Sequence, residues 1–244
     1  MIIIPAIDLR AGKCVRLVEG KLDRETVYSD DPVAIACFWT ESGAELIHVV
    51  DLDGAFSGEP QNLPVIKEII QAVNIPVQLG GGIRKMETIE MLLEIGVSRV
   101  ILGTAAVLNP SLVASACEKY GERIVLGIDS KNGWVAVEGW EATTGKTDVQ
   151  LGLEMKELGI TRVIFTDTGR DGTLKGPNFR KTGELARATN LKIIASGGVS
   201  TVEDIKNLRE MEHLGVEGVI LGKSLYAKTI DFAEALKASK GVEK

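Results

Sequence analysis

Histidine and cysteine are scarce in this chain of 244 residues: only His48, His213, Cys14, Cys37 and Cys117 occur. So little histidine disfavours a Ser-His-Asp hydrolase or a histidine-ligated metalloenzyme. The cysteines are odd in number, far apart and never in a CxxC, so neither a disulfide framework nor a zinc site is indicated. Blocks of like charge are also missing. The net charge of −6, with 28 Lys+Arg against 34 Asp+Glu, argues against a nucleic-acid or anionic-membrane surface and leaves room for a local anion pocket. The longest stretch without a charge, Val100 to Cys117, is broken by Asn109-Pro110 and reads as strand, loop and helix rather than a membrane span. The start, MIIIPAID, has no basic n-region and reaches Asp8, which predicts no signal peptide and a cytoplasmic protein. No Gly/Ser- or Pro-rich linker divides the chain, so one domain is expected.

What is present is a large apolar fraction, 45%, enough for a sizeable core. Eight short β-branched runs read as strands: Ile2–Ile7, Glu45–Asp51, Ile75–Leu79, Arg99–Gly103, Ile124–Asp129, Arg162–Asp167, Lys192–Ser196 and Gly218–Gly222. Helical patterns lie between most of them. Examples are Asp31–Ser42 (Asp31 as N-cap, Pro32 next), Leu63–Val73, Met86–Ile95 and Thr201–Glu212, the last introduced by Ser200 with Glu203 three residues on. Strands alternating with helices at about 30 residues per unit predict an α/β protein with a (β/α)8 TIM barrel.

An internal repeat sharpens this. IPAID ending at Asp8 recurs as VLGID ending at Asp129, 121 positions on; Gly81 of IPVQLGGGI recurs as Gly197 of LKIIASGGV, 116 on. ILG ending at Gly103 returns at Gly222, and Asp51 is answered by Asp167. A period of about 120 is too long for a solenoid and fits two fused half-barrels, approximately 1–120 and 121–244.

In a parallel barrel the reactive face is where strands end. Asp8 and Asp129 close the first and fifth strands, opposite each other in an eight-membered ring. Each alone reads as well as a loop carboxylate or N-cap; as a symmetric pair they suit general acid and base. Glycines follow four strands: Gly80-Gly81-Gly82, Gly103-Thr104, Gly197-Gly198 and Gly222-Lys223-Ser224. They leave backbone N–H groups free to meet an anion, and their occurrence twice, half a barrel apart, predicts a ligand with a phosphate at each end. After the sixth strand Thr166, Asp167, Asp171, Gly172 and Thr173 form either a turn or a ligand contact, mirrored after the second strand by Asp51 and Asp53. A calcium loop is rejected there, since the remaining ligand spacing is missing. His48 faces the pocket or sits satisfied in its strand, and His213 suits a helix end. Trp134 and Trp140 are equal candidates to stack on a flat ring or to pack under a loop. The long first loop, Leu9 to Ser29, carries Lys13, Arg16, Lys21 and Arg24. Alternation over residues 13–18 suggests an extra hairpin, with a similar one at Gly133–Gly139, and Arg16 is the candidate substrate contact.

Taken together, PAIDLRAGKCVRL, HVVDLDGA, GGGIR, GIDS, GW, TDTGRDGTLKGPN, ASGGVS and GVILGKSLY resemble the ribotide isomerases of histidine biosynthesis, the HisA family. The likeness runs from Ile2 to about Ala227. It implies an Amadori rearrangement of the bisphosphorylated ribonucleotide ProFAR, without cofactor, metal, nucleic acid, membrane or obligate protein partner. It also implies Asp8 as proton acceptor at the sugar C2 and Asp129 as donor to the ring oxygen. Thr166 would hold the reacting ribose, and Arg84 of GGGIR joins the binding set. Three alternatives remain at this stage. They are the sister cyclase, which has a cysteine where Ala6 stands and takes ammonia from a glutaminase, an isomerase that also accepts phosphoribosylanthranilate, and a non-catalytic phosphosugar-binding barrel.

Overall fold

The chain forms a closed ring of eight parallel strands with two antiparallel hairpins on its rim. The computed structural model describes residues 1–18, 21–137, 139–140 and 142–241. In chain order the strands are β1 (Ile2–Arg10), β2 (Lys13–Val18), β3 (Lys21–Ser29), β4 (Ile47–Asp51), β5 (Val77–Gly80), β6 (Arg99–Leu102), β7 (Ile124–Lys131), β8 (Trp134–Val137), β9 (Ala142–Thr147), β10 (Arg162–Asp167), β11 (Lys192–Ser196) and β12 (Val216–Leu221). The ring runs β1-β4-β5-β6-β7-β10-β11-β12 and closes where β12 pairs with β1. Hairpin β2–β3 extends β1, and β8–β9 extends β7 in the same antiparallel way.

Helices α1 (Pro32–Glu41), α2 (Leu52–Ser57), α3 (Leu63–Ala72), α4 (Met86–Glu94), α5 (Thr104–Leu108), α6 (Pro110–Tyr120), α7 (Asp148–Glu157), α8 (Phe179–Thr189), α9 (Val202–Arg209), α10 (Lys223–Tyr226) and α11 (Phe232–Lys240) fill the connections. Among the described residues no helix is long and apolar enough to cross a membrane.

All eight expected strands are barrel strands: Arg162–Asp167 and Lys192–Ser196 have the expected bounds, and the other six have shifted ends. The third starts at Val77 because Pro76 has no N–H to donate to the ladder; its carbonyl instead accepts from Ile47 N at 3.0 Å. The first continues to Arg10 because Asp8–Arg10 pair with the hairpin. Asp31 caps α1 as expected, accepting from Ala34 N at 2.9 Å. The cap of α9 is Thr201 rather than Ser200: Thr201 Oγ1 accepts from Asp204 N, and Asp204 Oδ2 accepts from Thr201 N at 3.0 Å. Asp204, not Glu203, therefore completes the capping box.

Side-chain alternation divides the core into two layers. Ile3, Ile7, Ile124, Leu126 and Ile128 face outward and pack under the helices, each burial contributing about 1.5–3 kcal/mol. Ile4, Ala6, Leu46, Ile101, Val125, Ile164, Ile194 and Ile220 face inward and fill the barrel axis. Two residues further along those inward rows, at the C-terminal mouth, stand Asp8, His48, Gly103, Gly127, Thr166, Ser196 and Gly222. The period of 2 puts the polar strand ends over an apolar plug.

Candidate active site

A cavity of ≈ 270 Å³ opens over the plug, with Ala6, Ile101, Ile164 and Ile220 lining it from below. Asp8 is held from two strands at once, in register with Val50 of β4 and Val15 of β2. Arg16, on the same hairpin, donates through Nη1 to Asp8 Oδ2 at 2.7 Å and through Nη2 to the Ala6 carbonyl at 2.7 Å. Its guanidinium lies 5.4 Å from the centre of the Tyr226 ring. Burial pushes the Asp8 carboxyl above its usual range, and the Arg16 charge opposes that. Across the cavity Asp129 pairs in register with Thr166 of β10 and Ala136 of β8. Burial raises its pKa as well; its opposing partners are hydrogen bonds to the Trp140 and Thr166 side chains, with no cation among them.

A third carboxyl faces the same space. Asp171 is pushed up to about 6 by burial, with Asp8 and Asp129 adding to the rise and Arg16 opposing it. His48 also lines the cavity, and burial together with Arg16 drives its pKa down to about 3, so the ring is neutral. Among the described residues no three His, Cys, Asp or Glu side chains are grouped as metal ligands.

Glycines from both halves of the chain form the two ends of the cavity. Gly81, Gly82, Gly103 and Thr104 lie at one end, Gly172, Gly197, Gly198, Gly222 and Lys223 at the other. Gly81 has φ +105, and a Cβ there would stand 2.1 Å from the Asp51 carbonyl oxygen; Gly197 has φ +88 and a Cβ would meet Asp167 O at 3.0 Å. Any side chain would close these approaches. Lys223 Nζ donates to Gly172 O at 2.7 Å, which ties the loops after β10 and β12 together.

The cavity thus gathers Asp8, Asp129, Thr166, Arg16, His48, Arg84, Trp140 and Asp171 with the glycines. Trp134 is on the surface, 46% exposed, and takes no part. Asp51, Thr173 and Ser224 do not reach the lining. Asp51 is buried and accepts from Gly54 N, Gln61 N, Asn62 N and Asn62 Nδ2, so its oxygens tie down its own loop. Thr173 Oγ1 donates to Arg170 O at 2.7 Å, and Ser224 Oγ is buried beneath the Gly222–Lys223 turn without a partner. Of the other loop cations, Lys13 pairs with Asp30 at the surface, and the Lys21 side chain falls outside the described residues, as do 19, 20, 138 and 141. His213 Nδ1 lies 2.7 Å from Glu210 O, where helical chain ends.

Ser196, Phe56 and Leu174 are among the lining residues that the sequence reading does not single out. Ser196 closes β11 and was open to the same strand-end rule that finds Thr166. Phe56, in the short helix α2, and Leu174, in the loop after β10, lie away from strand ends and carry no such signal.

A closed (β/α)8 barrel with a polar cavity at the C-terminal strand ends, carboxylates at its centre and glycine turns at both ends defines the class: a barrel built like an enzyme for a small, elongated ligand. The chain belongs to the histidine biosynthesis protein family, whose sequence pattern matches residues 2–231. A protein of Pelotomaculum thermopropionicum is 63% identical over 243 residues, covering 100% of this chain and 94% of the relative. One from Desulforamulus reducens is 58% identical over 243 residues (100% and 99%), and one from Moorella thermoacetica 56% over 236 residues (97% of each). All three are named 1-(5-phosphoribosyl)-5-((5-phosphoribosylamino)methylideneamino)imidazole-4-carboxamide isomerase.

Proposed function

We propose that this chain is a ProFAR isomerase, carrying out the aldose-to-ketose Amadori rearrangement of histidine biosynthesis. The observation that carries the reading is the unequal pair: two largely buried aspartates over one cavity, of which only Asp8 holds an arginine. Arg16 favours the ionised form of Asp8 and suits it to act as base. Asp129, buried and without a counter-ion, favours the protonated form and suits it to act as acid.

Asp129 donates its proton to the ribose ring oxygen. The C1–O bond breaks, and the nitrogen lone pair forms the C1=N iminium. That cation acidifies the C2 hydrogen, which Asp8 takes to give the enolamine. Protonation at C1 and loss of the 2-hydroxyl proton complete the ketone, with no net gain or loss of atoms. Thr166 and Trp140 orient Asp129 and the opened sugar, Asp171 and His48 supply polar contacts beside it, and Arg84 stands at the Gly81–Gly82 end. The backbone amides of the two glycine clusters, helped by Thr104 and Lys223, hold the phosphates, so net charge −6 is no obstacle.

This reading makes the protein a cytoplasmic enzyme that needs no cofactor, metal, nucleic acid or protein partner. We also read the single barrel as two fused halves. Asp51 accepts from Asn62 Nδ2 at 2.7 Å and Asp167 from Asn178 Nδ2 at 2.6 Å, and both asparagines stand at the N-cap position of the following helix, which supports a common origin. The test is direct: purified protein is mixed with ProFAR alone, without ammonia or glutaminase, and the absorbance followed. Conversion is expected; binding without conversion would leave only a phosphosugar-binding barrel.

A further inference from the structure

Below the cavity floor lies a buried polar side chain that the reaction as drawn does not use. Gln78, in β5, is 0% exposed and lies in register with His48 of β4 on one side and Arg99 of β6 on the other. Its Nε2 stands 3.1 Å from His48 Nδ1. An amide nitrogen only donates, so Nδ1 is the acceptor and the ring proton sits on Nε2. Gln78 Oε1 is buried without a partner, and so is Arg99 Nη1. A cation on the neighbouring strand favours the amide oxygen on its own side, which leaves the amide N–H for the histidine. A half-satisfied buried amide costs stability, and the surrounding inward positions are Leu46, Ile101 and Ile164. Packing alone would be better served by another aliphatic residue. His48 itself is one layer beneath Asp8, since Ala6 pairs with His48 and Asp8 with Val50.

We propose that Gln78 is a positioning residue of this site: by donating to His48 Nδ1 it fixes the ring in its neutral Nε2–H form and aims that N–H at an acceptor atom of the substrate beside Asp8. Burial and Arg16 keep the ring uncharged, with a pKa of about 3, so the tautomer is the variable that remains to be set. Only the kinetic part of the proposal rests on the isomerase reading.

His213→Asn leaves His48 as the single imidazole of the chain, which makes its ring nitrogens assignable by 15N NMR without touching position 78. One Nε2–H tautomer, not titrating between about pH 5 and 8, is expected. A ring that titrates in that range, or that carries its proton on Nδ1, would overturn the proposal. Adding Gln78→Leu should give mixed tautomers and raise KM for ProFAR about tenfold, with a smaller change in kcat. Gln78→Glu, which puts an acceptor at Nδ1, should move the proton to Nδ1 or charge the ring. Retention of the Nε2–H form and of KM in Gln78→Leu would also overturn it. A tautomer shift on Gln78→Leu, where the parent with Gln78 does not convert ProFAR, would instead sink the isomerase reading and leave the role of Gln78 in orienting His48 intact.

Discussion

Arg16 distinguishes the surroundings of two aspartates whose local chain sequences are nearly the same: it pairs with Asp8, and no cation is among the partners of Asp129. Both follow the apolar run of a barrel strand, both are largely buried, and both have raised pKa values. Removing either carboxylate while keeping its shape isolates its part in proton transfer. Asp8→Asn and Asp129→Asn should each lower kcat by about 10²- to 10⁴-fold, with substrate still bound in an equilibrium titration. Retention of most of kcat in either variant would exclude the assigned role. A finer prediction concerns Gly222. A Cβ there would lie 2.7 Å from the Arg16 guanidinium, so Gly222→Ala displaces the end of that side chain from Asp8. Without its counter-charge the Asp8 carboxyl should rise further. Because the base must be ionised, the acidic limb of the kcat/KM profile should move to higher pH. An unmoved limb would mean that Arg16 does not set the ionisation of Asp8.

At the scale of elements, what the sequence made legible is what strand alternation governs. Asp8, Asp129 and Thr166 end inward rows, and the glycine turns follow directly, so the period of 2 finds them without a structure. The rest depended on contacts between elements distant in the chain. Tyr226, from α10, donates to Ala6 O at 3.0 Å and carries Arg16 on its ring; Gln78 is positioned by a cross-strand neighbour. Neither position has a local pattern that sets it apart. Asp51 shows the opposite case, a strand-end carboxylate with the pattern of a site residue and the hydrogen bonds of a loop anchor. One-residue ambiguity at the α9 cap has a similar cause: Ser200 and Thr201 both donate N–H groups to Asp204, and only the geometry of the turn decides which residue is the cap. Asp51→Ala should therefore destabilise the fold by at least about 3 kcal/mol, since several buried donors lose their acceptor together. The loss should appear as a lower urea midpoint rather than in KM. A raised KM at unchanged stability would return Asp51 to the binding set.

Taken as a whole, the molecule holds ionisable groups in its mouth at a cost to its own stability, and the cost depends on pH with opposite signs. Asp171 has a folded pKa of about 6 against an ordinary 3.8, so the folded state binds its proton more tightly. The associated stability is fully present below pH 3.8 and is lost as pH rises through 6, by roughly 3 kcal/mol in total. His48 runs the other way, with its pKa lowered from 6.5 to about 3. Its contribution is present above pH 6.5 and is lost as pH falls towards 3, by roughly 5 kcal/mol. Between these limits the two slopes oppose each other, so the stability profile of the parent protein should be flatter than either group alone would make it. Asp171→Asn removes the first slope and leaves the second. Compared with the parent in urea denaturation, the variant should gain most at about pH 7.5, and that advantage should shrink steadily towards pH 4. An advantage that did not vary with pH would place its origin in packing rather than in the Asp171 charge. The same substitution should lower activity, because the Asp171 carboxyl faces the cavity in which the proposed reaction places the sugar.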